Sequence, residues 1–169
     1  MTQCTDEAVL QMLPLVSAQR REQALSFRHT FGRFCCLKSW LMLKEMIGEV
    51  GEFEYNENGK PFLSANLFFS ISHCKAGIAV IADEQPVGID IESIREAKED
   101  LMERTMNAEE RRGMDDRKFI RLWTQKEAIV KAQGTGIMSF EQLQAILPTQ
   151  EWKLQTVEKE NYIYSIAYK

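Results

Sequence analysis

A chain of 169 residues, 44% hydrophobic and 27% charged, holds enough apolar material for one domain, or two small lobes on a shared core, without disulfide or metal staples. Its net charge of −4 argues against a general nucleic-acid binder, which shows a basic excess. No apolar run approaches the ~20 residues of a membrane span, and the start, MTQCTDEAVLQMLPLV, has no basic leader region. Cys4, Cys35, Cys36 and Cys74 form no C-x-x-C, and with only His29 and His73 beside them they suggest no zinc framework. Reduced thiols and a soluble, cytoplasmic protein are expected.

In chain order, the charged stretch 17–32 runs into a helical apolar pattern at Leu37, Leu41, Leu43, Met46 and Ile47, ended by Gly48 and Gly51. One or two helices are expected there. Asn56 to Pro61 reads as a turn, since Asn-Gly tolerates left-handed backbone and proline cannot continue a ladder. LFFSIS (67–72) and GIAVIA (77–82) read as paired strands around a turn at His73 to Ala76. VGIDIE (87–92) alternates, with Val87, Ile89 and Ile91 on one face and Gly88, Asp90 and Glu92 on the other. Asn107 to Glu110 has the pattern of a helix start with a capping box. Residues 117–133 form the strongest helical pattern, with Phe119, Trp123, Ile129 and Val130 apolar, and Gly134-Thr135-Gly136 ends it. Residues 151–157 and 162–168 read as a closing hairpin. The fold class is α+β, mostly antiparallel.

Two segments carry candidate chemistry. On a strand, Asp90 and Glu92 project from one face with Cα atoms roughly 6.5–7 Å apart. Gly88 before them is expected to leave open space. Paired carboxylates there suit a magnesium ion that keeps positions for water and phosphate. They equally suit the solvated face of an edge strand. On the helix, Trp123, Glu127 and Lys131 follow at steps of four, about 6 Å apart along the axis. Glu127 is a candidate third ligand or general base, and Lys131 a candidate phosphate group. An ordinary Glu–Lys surface pair, worth ~0.3–0.5 kcal/mol, fits the same spacing.

Taken together, Gly88-Ile89-Asp90-Ile91-Glu92 and Trp123-Thr124-Gln125-Lys126-Glu127-Ala128-Ile129-Val130-Lys131 resemble the paired signature of the 4′-phosphopantetheinyl transferase superfamily, G-x-D-x-E followed by W-x-x-K-E-A/S-x-x-K. Phe69-Ser70-Ile71-Ser72-His73 is similar to its F-x-x-S-H strand end, and Asn58-Gly59-Lys60-Pro61 to its G-K-P loop. The first motif lies half-way along the chain, which resembles the surfactin-synthetase-activating type. That resemblance implies two pseudo-symmetric lobes, 1–85 and 86–169, with coenzyme A in the cleft between them. Position 91 is isoleucine, where some members carry a third acid.

The resemblance implies transfer of the phosphopantetheine arm of coenzyme A to a serine of an acyl, peptidyl or siderophore-type carrier protein by a monomer, with release of 3′,5′-ADP. Asp90, Glu92 and Glu127 are the implied magnesium ligands, Glu127 and Lys131 the implied catalytic pair, and Lys131 the pyrophosphate contact. Ser72, His73 and Lys60 are implied coenzyme A contacts, His73 at the 3′-phosphate. Arg20, Arg21 or Arg33 stands for the basic residues the family places near its first helix. A catalytically silent coenzyme A- or carrier-binding module is the rival reading. Arg111, Arg112, Arg117 and Lys118 are candidates for touching an acidic carrier helix, or simply solvated surface.

Overall fold

The computed structural model describes residues 4–63, 67–136, 140–146 and 151–169. The first third is helical: α1 (Asp6–Met12), a 3-10 turn (Leu13–Leu15), α2 (Ala18–Ser26) and α3 (Thr30–Ile47). Helix α1 starts where the Thr5 hydroxyl accepts the Ala8 amide, and α2 where the Ser17 hydroxyl accepts that of Arg20. A short hairpin follows, β1 (Glu54–Tyr55) and β2 (Pro61–Phe62), then a longer one, β3 (Phe68–Cys74) and β4 (Gly77–Asp83). Buried Leu37, Trp40 and Leu43 of α3 share a core with Phe69 of β3, and Ile78, Val80 and Ala82 of β4 pack against it.

The second half begins with β5 (Val87–Ser93), then α4 (Glu99–Thr105), α5 (Asp116–Gln133), α6 (Phe140–Ala145), β6 (Lys153–Glu158) and β7 (Tyr162–Tyr168). The sheet runs β5-β7-β6, antiparallel throughout. Helix α5 lies across it and buries Phe119 and Ile120 against Ile163, and Ala128 and Ala132 against Ala167. Asp115 caps the start of α5 by accepting the Lys118 amide, and Gly134 ends it in the left-handed conformation, φ 75°.

The α+β, antiparallel expectation is met, and four of its particulars are corrected. His73 is not in a turn: β3 runs on to Cys74, His73 pairs with Ile78, and only Lys75 and Ala76 connect the strands. Asn107 and Glu110 do form the reciprocal cap, Asn107 Oδ1 accepting the Glu110 amide and Glu110 accepting that of Asn107. The chain then stays in turns through Gly113, φ 60°, and no helix grows from it. Strand β5 is buried on both faces through Ile91, because the side opposite α5 meets the β3–β4 hairpin.

The space in front of Gly88 is not open. A Cβ there would stand 2.0 Å from the Ala128 carbonyl oxygen and 2.5 Å from the Ala132 nitrogen, so the missing side chain is what lets α5 lie on the strand. No helix among the described residues is long and apolar enough to cross a membrane.

Candidate active site

Strand β5 is the edge of its sheet, and its outward amides need partners. Two serines of β3 supply them: Ile89 N–H donates to Ser70 Oγ at 3.1 Å and Ile91 N–H to Ser72 Oγ at 3.3 Å. Ser72 Oγ in turn donates to Asp90 Oδ1 at 2.7 Å. The hydroxyl expected to touch a ligand therefore orients a carboxylate instead. Asp90 is only 5% exposed.

Lys131, one turn beyond Glu127 on α5, donates from Nζ to the same Asp90 Oδ1 at 2.7 Å. Asp90 Oδ2 is buried with no hydrogen-bond partner. Glu92 meets the guanidinium of Arg95 at 3.5 Å. Glu127 is buried in this acidic setting, and its carboxyl is pushed up to about 7, by desolvation first and then by the charge of Asp90. Desolvation, then Asp90, also raises Glu92. Asp90 and Glu92 are near enough for their charges to raise Glu127, and Lys131 for its charge to lower it. Among the described residues no three His, Cys, Asp or Glu side chains already converge as a metal cluster. The strand carboxylates are instead paired with cations of the chain itself.

Glu127 and Lys131 line a cavity of about 260 Å³ whose opposite wall is Asn58, Lys60, Phe69 and Ser70. Lys60 donates from Nζ to the Lys131 carbonyl at 2.5 Å, and Asn56 and Asn58 donate to that of Gly134 at 3.0 and 3.3 Å. The 56–60 turn thus satisfies the carbonyls that a helix C-terminus leaves over. Burial holds the Lys60 ammonium below its ordinary range. His73 stands exposed, with the Phe31 ring edge-on at 5.8 Å. Local desolvation, then the Lys131 charge, lowers its imidazole pKa. A larger cavity, about 520 Å³, lies by Phe62, Phe68, Pro86 and Trp152 and contains none of the three carboxylates.

Arg20 is elsewhere. Its guanidinium donates to the Cys36 carbonyl, Gln23 and Ser39, and stacks over Phe53 at 5.0 Å. It fastens α2 to α3 and is turned away from the cleft. Trp123, half-buried, packs against the core near Phe119, 5.9 Å between ring centres. Arg33 donates to the Phe27 carbonyl and Arg21 to that of Leu13.

Sequence reasoning missed three features. Lys126 is 3% exposed and donates to the Thr105 and Leu143 carbonyls and to Glu110 at 2.8 Å, so it bolts α5 to α4 and α6. Its signal was present: Lys126 interrupts the apolar stripe of Phe119, Trp123 and Val130. The serine rungs of β3 had only the S-x-S alternation as a sign. Arg95 had none.

An acidic strand face opposed by a helix bearing glutamate and lysine, within an antiparallel α+β frame, defines the class of protein. Residues 86–167 match the family described as the 4′-phosphopantetheinyl transferase superfamily. The chain is 30% identical over 143 residues to 4′-phosphopantetheinyl transferase psf-1 of Bacillus pumilus, covering 75% of this chain and 61% of that one. It is 35% identical over 127 residues to 4′-phosphopantetheinyl transferase AcpT of Salmonella typhimurium, 66% of each chain. To 4′-phosphopantetheinyl transferase Sfp of Bacillus subtilis it is 25% identical over 141 residues, 74% of this chain and 63% of that one. The chain belongs to the 4′-phosphopantetheinyl transferase superfamily. It spans 61–66% of the length of these curated relatives.

Proposed function

We propose that this chain is a magnesium-dependent phosphopantetheinyl transferase of the surfactin-synthetase-activating type. Its substrates are coenzyme A and an acyl, peptidyl or siderophore-type carrier protein. One observation carries the reading: Asp90, Glu92, Glu127 and Lys131 share one electrostatic site, with the metal-free Glu127 carboxyl lifted to about 7 by burial and then by Asp90.

Asp90, Glu92 and Glu127 form an all-oxygen donor set that suits a hard divalent ion. The buried, unpartnered Asp90 Oδ2 is an acceptor for which the chain offers no donor. These three residues would hold a magnesium ion, which would supply neutralisation of the diphosphate charge during transfer. Ser72 holds Asp90 in orientation. Lys131, beside Asp90, pairs with the donor's pyrophosphate. The carrier serine oxygen bonds to the β-phosphorus of coenzyme A, its proton passes to Glu127 directly or through water, and the bond to the oxygen of 3′,5′-ADP breaks.

We place the lobe boundary between 85 and 86, with the donor in the cleft between lobes, since the cavity at Glu127 and Lys131 draws its other wall from Asn58, Lys60 and Phe69. Lys60 and His73 serve the adenosine and 3′-phosphate end. Arg20 has no place in this site, its donors being spent within the helices. The proposed setting is the cytoplasm, which the free thiols suit.

Mass spectrometry of apo carriers incubated with the protein, coenzyme A and magnesium tests the reading. A carrier gains one phosphopantetheine with the wild type and none with Glu92→Ala or Glu127→Ala. Full turnover in both variants refutes the site. Coenzyme A binding without any carrier modification makes the chain a silent binding module.

A further inference from the structure

Arg95 has no part in the reading above. It lies just beyond β5, with its side chain 52% exposed and Nη2 3.5 Å from Glu92 Oε2. The two strand carboxylates thus each have a counter-ion from the chain, but of unequal hold. Lys131 to Asp90 is a 2.7 Å contact to a buried carboxylate. Arg95 to Glu92 is a long pair at the surface, of a kind worth at most about 1 kcal/mol. The weaker pair is the one that opens when a doubly charged ion competes for Glu92, because cation repels guanidinium and the carboxylate gains more from the ion. A guanidinium stays charged at every relevant pH and presents a fork that matches phosphate oxygens. Released beside the carboxylates, it adds a cation where a polyphosphate must lie.

We propose that Arg95 is the exchangeable counter-ion of Glu92: it cedes that carboxylate to a divalent cation and then turns its guanidinium onto the phosphates of the donor substrate. The second half rests on the transferase reading, and the first does not.

Manganese titrated by calorimetry into the metal-free protein tests the exchange without turnover. Arg95→Gln binds the ion about two- to fivefold tighter than wild type, the range set by an exposed ion pair, and Arg95→Lys returns toward wild type. Coenzyme A titrated in the presence of manganese tests the second half, and Arg95→Gln binds it severalfold more weakly. Opposite signs in the two titrations mark an exchange, whereas a merely structural arginine moves both the same way. Equal or weaker manganese binding by folded Arg95→Gln overturns the exchange, and Arg95→Met decides the matter if the glutamine variant unfolds. Unchanged coenzyme A affinity overturns the phosphate contact. Tighter manganese binding by Arg95→Gln in a protein that modifies no carrier leaves the exchange standing and removes the transferase reading instead.

Discussion

Two neighbours on α5, Lys126 and Glu127, carry opposite charges and play opposite parts. All three donors of Lys126 are used inside the protein, and its partner Glu110 has a side chain only 10% exposed. Removing the lysine leaves a buried carboxylate with no counter-ion, a loss of about 3–5 kcal/mol. Lys126→Ala should therefore lower the unfolding free energy measured in denaturant by that much, and Lys126→Ala with Glu110→Leu should recover part of it. Glu127 is the reverse case. The folded, metal-free protein keeps its proton to about pH 7, while the unfolded chain releases it near the ordinary value of 4.5. Between those values the folded state binds more protons, so stability falls as pH rises. Its contribution is fully present below 4.5 and lost as pH passes through about 7. Thermal melts of metal-free protein should show Tm falling from pH 5 to 8, and Glu127→Gln should flatten that slope and melt higher than wild type at pH 8. A flat wild-type profile would contradict the raised carboxyl.

At the scale of elements, the site depends on how closely α5 lies on β5. Gly88 sets that distance, since its absent Cβ is where the Ala128 carbonyl stands. The atom that would be struck is backbone, which cannot rotate away. Gly88→Ala should therefore cost about 3 kcal/mol, lift α5, and separate Lys131 from Asp90. A melt within a degree of wild type would show that the helix yields more easily than its packing suggests. The turn at 56–60 holds the far end of the same helix, with Asn56 Oδ1 accepting the amides of Asn58 and Lys60 while its amide group donates to Gly134. Both contacts were invisible to periodicity. The glycine was read as open space because a strand pattern says nothing about what packs on it.

Across the whole molecule, the two hairpin-bearing halves meet through serine rungs and a lysine reaching over the cleft. Ser70→Ala with Ser72→Ala strands two buried amides, at about 1–3 kcal/mol each, and frees Asp90 from one of its donors. Hydrogen exchange should show faster exchange at Ile89 and Ile91 than at their neighbours in β5. Exchange no faster than in wild type would mean that β5 does not need β3 along its edge.

Local periodicity determined most elements and their faces: a period of two put Asp90 and Glu92 on one side of β5, and a step of four put Glu127 above Lys131. Those are properties of one segment, and residue spacing encodes them. The helix start at Asn107 looked equally sound, yet its cap closes on a turn, because a cap stabilises a helix only where the following residues have something to pack against. Which partner each cation takes was decided mostly by tertiary structure. Arg20 went to α3, Lys126 to Glu110, Lys131 to Asp90 and Arg95 to Glu92. Long side chains reach across elements, and three of these four pairings join residues 16 to 41 positions apart, a separation over which only the packed chain sets distance and dielectric.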